Sequence, residues 1–283
     1  TDEYGGSLEN RMRLCDELFQ GIKKACGEDF LIATNLAGQE GLPGGYTVED
    51  YVQMCRHWEG LVDIHQIGMG IMDRAGITHL TPKSEPVTLG YAKALKDAGI
   101  RAIVCPSIDF HDVDDNERYL AEGSCDMIGL ATPLIAEPEY VNKLRSNKGE
   151  RIRPCIGCGK CHGAMCSVNP RHGLSHIWDT LFDAPVQVKR VAVIGGGPAG
   201  MEAAIAAARR GHQVTLFERE GRLGGQLRHS DYLPGKWQLK SFMDYLIQEL
   251  QRSCVDIRLG TEAVPEIIQG YDAVVAACGS DGK

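Results

Sequence analysis

Apolar positions recur along the chain with two alternating periods. Leu14, Leu18, Ile22 and Ala25 fall at helical spacing behind a Gly-Gly loop, with Ser7 placed to cap the helix they predict. FLIATNL (30–36), LVDIHQIG (61–68), IRAIVCP (100–106) and CDMIGLA (125–131) are short apolar runs that predict strands. Helix-period stretches follow each of them: VEDYVQMCRHW capped by Thr47, YAKALKDAG (91–99), VDDNERYLAEG (113–123) and PEYVNKLR (138–145). Strands and helices alternating at this spacing are βα units, which build a parallel sheet with right-handed crossovers. The strands are apolar on both faces, as barrel or doubly wound strands must be. The pattern alone does not separate half of a TIM barrel from an open sheet.

The alternation resumes at residue 190. A strand (190–194) runs into a glycine-rich turn, an Ala-rich helix and a strand ending at Glu218; a helix (236–252) and the strands VDIRL (255–259) and DAVVAACG (272–279) complete the pattern. Between the two regions, residues 167–189 hold Pro170, Gly173 and Pro185 and predict a connecting segment with a short helical stretch near SHIWDTLF. The expected organisation is therefore an α/β region over 1–150, a loop and linker over 151–189, and a second α/β region over 190–283.

Composition narrows the function. The 283 residues are enough for two cores, and a net charge of −8 argues against a nucleic-acid or membrane-surface partner. No apolar run reaches membrane-spanning length and no signal peptide opens the chain. Seven of the eleven cysteines (Cys15, Cys26, Cys55, Cys105, Cys125, Cys254, Cys278) are scattered, which suits free thiols in a reducing cytoplasm. The chain begins at Thr1 and stops in GSDGK directly after an apparent buried strand, and is expected to be a piece of a larger protein. Half a barrel would expose two sheet edges, which a missing partner or a homo-oligomer would cover.

The other four cysteines carry chemistry. RPCIGCGKCHGAMCSVNP puts Cys155, Cys158, Cys161 and Cys166 inside twelve residues, with two C-x2-C steps sharing a middle cysteine. A [4Fe–4S] cluster needs four converging thiolates, and Gly157 and Gly159 let the backbone bend around it. Zinc usually takes separated C-x2-C hairpins or mixed Cys/His sets, so iron–sulfur is the favoured reading and structural zinc the alternative. His162 could replace a thiolate, but fits better as a group behind the ligands.

Gly195-x-Gly197-x-x-Gly200 lies between strand and helix, and the acidic Glu218 follows 18 positions after its last glycine. That is a dinucleotide fingerprint: glycines for the turn, the pyrophosphate approach and the helix–strand packing, and a carboxylate for the adenosine ribose. The helix N-terminus supplies free N–H groups and a favourable dipole. GRLGGQL (221–227) adds Gly224, Gly225 and Gln226 behind the acidic strand.

TDEYGGSLENRMR, AEGSCDMIGLATPLIAEP and the CIGC run together resemble the NADH:flavin oxidoreductases of the old yellow enzyme superfamily. The closer resemblance is to their multidomain iron–sulfur branch of 2,4-dienoyl-CoA reductase, 2-enoate reductases and trimethylamine dehydrogenase. The resemblance implies that residues 1–150 are the C-terminal half of a TIM barrel with FMN at its mouth, followed by the cluster loop and a partial Rossmann-like domain. That domain would hold FAD, or ADP as in the amine dehydrogenases. It implies NAD(P)H as electron donor, a small-molecule substrate with an activated C=C bond, and the amine reaction as runner-up, since LVDIHQIGMG is similar to the amine dehydrogenase strand. A non-catalytic module binding one nucleotide and one cluster is the reading from another class.

Three local departures from the family pattern involve four residues. Asn35 stands where an arginine usually faces the flavin, Pro106 and Ser107 replace a Gly-Gly turn, and Thr132 replaces a phosphate-binding arginine, while Gly129 is kept. Ser107 and Thr132 would have to bind phosphate through hydroxyls and backbone N–H groups. His65 and His79 are candidate catalytic groups near the barrel mouth, against which stand a packed strand residue and a loop residue exposed to solvent.

Overall fold

Ser7 opens helix α1 (Leu8–Cys26) by accepting the Asn10 N–H on its hydroxyl at 3.2 Å. Thr47 and Asp50 form a reciprocal capping box at α2 (Val48–His57), each side chain accepting the other's backbone N–H. The computed structural model describes residues 2–70, 83–163, 165–174, 176–177, 180, 187–232 and 234–280. They divide into two units, the first holding 2–70 and 84–131 and the second holding Lys83 and the described residues from Thr132 onward.

The first unit is a parallel sheet in the order β1 (Ala33–Ala37), β2 (Ile64–Gly68), β3 (Ile103–Pro106), with α1, α2, α3 (Val87–Asp97) and α4 (Val113–Ala121) in the connections. Thr34, His65 and Val104 lie in register and are all buried, with the Tyr51 ring of α2 set edge-on to His65. The opposite face carries the exposed Ala33, Asn35 and Ile103 but also the buried Cys105, so one face of this sheet is covered by helices and the other is largely open. Among the described residues, no helix is long and apolar enough to cross a membrane.

Two expectations fail here for identifiable reasons. The run 125–131 is not a continuous strand, although it lies along β3: the Asp126 and Met127 N–H groups donate to the Val104 carbonyl and the Gly129 N–H to the Pro106 carbonyl, with one bridge from Ser107 to Gly129. The Asp126 carboxylate accepts the Val104 N–H at 2.9 Å, taking the donor that a neighbouring strand's carbonyl would have used. In α1, Leu14 and Leu18 are exposed, and the buried side is Met12, Phe19 and the Lys23 stem. The helix has two apolar rows. The row holding Phe19 wins because that ring packs edge-on to Trp58, at 5.4 Å between centroids.

The second unit holds α5 (Thr132–Ala136), α6 (Tyr140–Arg145) and a four-stranded, all-parallel sheet built from β4 (Arg190–Ile194), β5 (Gln213–Phe217), β6 (Asp256–Arg258) and β7 (Ala273–Ala276). Its order is β6-β5-β4-β7. Helix α7 (Pro198–Arg209) joins β4 to β5, α8 (Trp237–Gln251) precedes β6, and the short α9 (Pro265–Ile268) precedes β7. Val191, Val193, Met201, Leu216, Leu246 and Leu250 form the centre of its core. The helical stretch expected near 175–182 falls largely outside the described residues.

Candidate functional site: a dinucleotide turn and a four-cysteine loop

The turn from β4 into α7 is shaped by backbone contacts. Gly195 has φ 108°, and a Cβ there would sit 2.3 Å from the Ala277 carbonyl oxygen; a Cβ on Gly200 would sit 1.8 Å from the Gly195 carbonyl oxygen. Both glycines are therefore demanded by the protein's own packing. Gly197 differs: its φ is −76° as the N-cap of α7, and a Cβ would meet nothing nearer than the Gly225 Cα at 3.9 Å. The space beside Gly197 is left open at the end of a helix whose first N–H groups lack intrahelical partners, which fits a pyrophosphate.

Glu218 is buried behind this turn. Its carboxylate accepts the Gly196 N–H at 2.6 Å and the Glu220 N–H at 2.8 Å. Each oxygen keeps a second lone pair, which suits ribose hydroxyls and disfavours a 2′-phosphate. The second glycine pair is brought to the same place: Gly224 N–H donates to the Gly196 carbonyl at 2.9 Å, and a Cβ on Gly225 would be 3.0 Å from the Gly197 Cα. Gln226 is exposed, and its amide donates to the Ser280 carbonyl at 2.8 Å.

The cysteine loop belongs to the same unit. Cys155, Cys161 and Cys166 are half-buried and Cys158 is exposed; all four are free thiols. Gly157 (φ 61°) and Gly159 (φ 68°) make the bends, and the Gly157 N–H points at the Cys155 sulfur at 3.4 Å. The Ser167 hydroxyl lies 3.2 Å from the Cys158 sulfur. Burial and then the field of Cys155 push the Cys161 thiol up, with Cys166 and Cys158 adding to the effect and a backbone hydrogen bond opposing it. Among the described residues no group of three or more such ligands is closed to metal-binding geometry, so the thiols are gathered but not locked. A four-thiol set with an N–H and a hydroxyl beside its sulfurs fits an iron–sulfur cluster, whose properties such bonds tune. The His162 side chain lies outside the described residues.

In the first unit the candidate flavin contacts are less well placed. Asn35 is exposed on the open face of the sheet. Both donors of Ser107 are spent on one acceptor: its N–H and its hydroxyl donate to the Ile67 carbonyl at 3.0 and 2.9 Å. The Gly129 N–H is likewise spent on the Pro106 carbonyl at 2.8 Å. Ser107 and Gly129 therefore do not fit a role as phosphate donors. The left-handed turn after β3 falls instead on Ile108 (φ 81°) and Asp109 (φ 64°). Thr132, half-buried, opens α5 in the second unit. Ser107→Ala is expected to cost about 1 kcal/mol of stability and leave bound flavin per chain unchanged, as read by urea unfolding and a released-flavin assay. A drop in flavin at unchanged stability would restore Ser107 as a ligand.

His65 corrects the catalytic expectation. It is fully buried on the helix-covered face, opposite Asn35, with Nδ1 3.1 Å from the Thr34 hydroxyl. Nε2 meets no hydrogen-bond partner among the described residues. Burial pulls its pKa down to about 4. This is a packed, fully buried imidazole on the core side of the sheet. Because the folded value lies below that of an exposed histidine, the stabilisation is whole above about pH 6.5 and is lost as pH falls towards about 4. Between pH 7 and 5.5 the loss is expected to reach about 1 kcal/mol, and His65→Gln should remove that slope in urea titrations. His79 lies outside the described residues. Arg153, whose partners lie on distant elements, went unmarked in the sequence, since no local motif reports a pairing 49 residues apart with Glu202.

The NADH:flavin oxidoreductase / NADH oxidase family model matches residues 1–150, and the FAD dependent oxidoreductase model matches residues 190–261. An NADH oxidase of Thermoanaerobacter brockii is 37% identical over 99% of this chain and 45% of its own length. An N,N-dimethylglycine/sarcosine dehydrogenase of Chromohalobacter salexigens is 32% identical over 98% of this chain and 42% of its own. The solved structure of a 2-naphthoyl-CoA reductase with 2-naphthoyl-CoA superposes with a TM-score of 0.92 at 31% identity, covering 100% of this chain and 45% of that one. The chain thus spans a little under half the length of these relatives.

Proposed function

The chain belongs to the NADH:flavin oxidoreductase / NADH oxidase family, and from that premise we propose that it serves a flavin- and iron–sulfur-dependent oxidoreductase passing electrons from NAD(P)H to an activated C=C bond, an enoate or enoyl thioester. The observation that carries the reading is that Cys155 and Cys166 pack against the same core that supports the dinucleotide turn. In this reading residues 1–150 are half of a flavin barrel, 151–189 the cluster loop and linker, and 190–283 a partial FAD- or ADP-binding domain. When bound, a flavin exchanges electron pairs with NAD(P)H and the cluster moves electrons singly.

The protein's own part is binding and placement. Gly197 and the α7 N-terminus hold the pyrophosphate, and Glu218 holds the ribose while bracing the turn through Gly196. Cys155, Cys158, Cys161 and Cys166 hold the iron. FMN is carried by family membership rather than by the Ser107 turn, and no role is assigned to His65. Eleven free thiols favour the cytoplasm. A dehydrogenase of a methylated amine is the second reading, favoured by the similarity to the dimethylglycine/sarcosine dehydrogenase.

An anaerobic absorbance spectrum with iron, zinc and flavin assays on one sample tests the reading, followed by reoxidation of the NADH-reduced chain with an enoate and, separately, reduction of the oxidised chain with a dimethylated amine. About four irons per chain, bound flavin and enoate-driven reoxidation support it. Zinc in place of iron removes the electron relay, and response to the amine alone moves the protein to the second reading. Iron and nucleotide with no turnover would make it a binding module.

A further inference from the structure

The geometry points to Arg153 as a latch that holds the two ends of the cysteine loop together and ties them to the dinucleotide-binding helix. The inference rests on the reading of this loop as a metal-binding loop. Arg153 lies two residues before Cys155, and its side chain is only 12% exposed. Its Nη1 donates to the Val168 carbonyl, two residues past Cys166, and to the Glu202 carboxylate at 2.9 Å. Glu202 lies on α7, the helix whose N-terminus faces the open space beside Gly197. The guanidinium lies 5.6 Å from the Tyr245 ring centroid, on α8. One side chain thus bridges the entrance of the loop, its exit and both helices of the dinucleotide fold.

The loop ends are held a second time. The Arg153 N–H donates to the buried Glu137 carboxylate at 3.2 Å, and the buried Asn169 amide donates to the Ile135 carbonyl at 2.6 Å. Entrance and exit are therefore both anchored to the segment around α5. Between the anchors Cys158 is exposed and the bends fall on glycines, so the anchored ends fix the span within which the four sulfurs can close on a metal. A charge-assisted donor that spans that closure sets how readily the loop opens and releases metal.

Arg153→Met keeps the volume and the apolar stem while removing the donors and the charge. Arg153→Lys keeps a charge and donors but not the flat group over Tyr245. Glu202→Gln weakens the tie to α7 and leaves the Val168 bond in place. The measurement is the rate of metal loss to a chelator from the full chain under anaerobic conditions, with metal identity, far-UV circular dichroism and the midpoint potential of the bound cluster. R153M is expected to lose metal at least about tenfold faster than the parent, with R153K and E202Q in between.

The potentials carry the finer test. Loss of a nearby positive charge disfavours the more anionic reduced cluster, so R153M should move the midpoint down, while E202Q should move it up. A packing defect has no reason to give opposite signs. Should R153M fail to fold, E202Q decides alone through its release rate and upward shift. Unchanged release from a folded R153M overturns the latch and leaves the cluster reading intact. Zinc in the parent overturns the cluster but leaves the latch to be read from zinc release, and a metal-free parent overturns both.

Discussion

Gly200→Ala is expected to cost the second unit about 3 kcal/mol, whereas Gly197→Ala should leave it folded but holding its nucleotide more weakly. The two residues belong to one motif but face different obstacles. At Gly200 the added carbon would lie 1.8 Å from a backbone oxygen of the same turn, which no rotamer change relieves. Either α7 moves off β4 or the turn deforms, and both loosen the core around Met201 and Val193. At Gly197 the backbone is extended, which any residue adopts, and the new methyl points into space the protein leaves open. Its cost falls on the ligand: a methyl there keeps the pyrophosphate from the backbone, and affinity should drop by about tenfold or more. Urea unfolding of both variants beside a titration with ADP separates the effects. Equal destabilisation with equal affinity loss would mean that the open space is not a binding cradle.

The fingerprint itself divides the three glycines into a turn, a pyrophosphate approach and a helix–strand packing position, and the neighbours of each Cβ show how large each obstacle is. The strand–turn–helix around them was legible because local propensity, apolar pattern and motif agree there. The run 125–131 had the apolar pattern of a strand and does donate to β3 carbonyls, but the return bonds fail because Asp126 takes the Val104 N–H and Pro106 has none to give. Ser107 looked like a donor for phosphate because its hydroxyl is the right chemistry; the Ile67 carbonyl that consumes it lies 40 residues away. His65 sits on the strand where it was expected, but the face it takes depends on register, and a one-residue shift would have turned it to the open side. The cysteine loop was the easiest to read, since its four candidate ligands fall within one short segment; the pairings that hold its ends are long-range and left no mark in the sequence.

The largest effect is therefore expected at that loop. Cys158→Ala should abolish cluster binding, taking iron from about four per chain to near zero together with the broad visible absorbance. Cys158 is exposed and Ser167 is its neighbour, so its loss should barely touch the fold, and circular dichroism and the urea midpoint should stay close to the parent. Cys155 and Cys166 pack against the core, so alanine there should remove iron and also cost about 1–2 kcal/mol as small buried groups are lost. Exposed Cys26 and Cys254 are the controls: alanine at either should change neither iron nor stability. Buried Cys105 and Cys125 should show the converse, a stability cost at full iron content. The pattern across the set is what discriminates, because a chain that bound iron adventitiously through scattered thiols would lose it in small steps at many positions. Full iron retained in Cys158→Ala would show that three thiolates suffice or that another residue takes the fourth place.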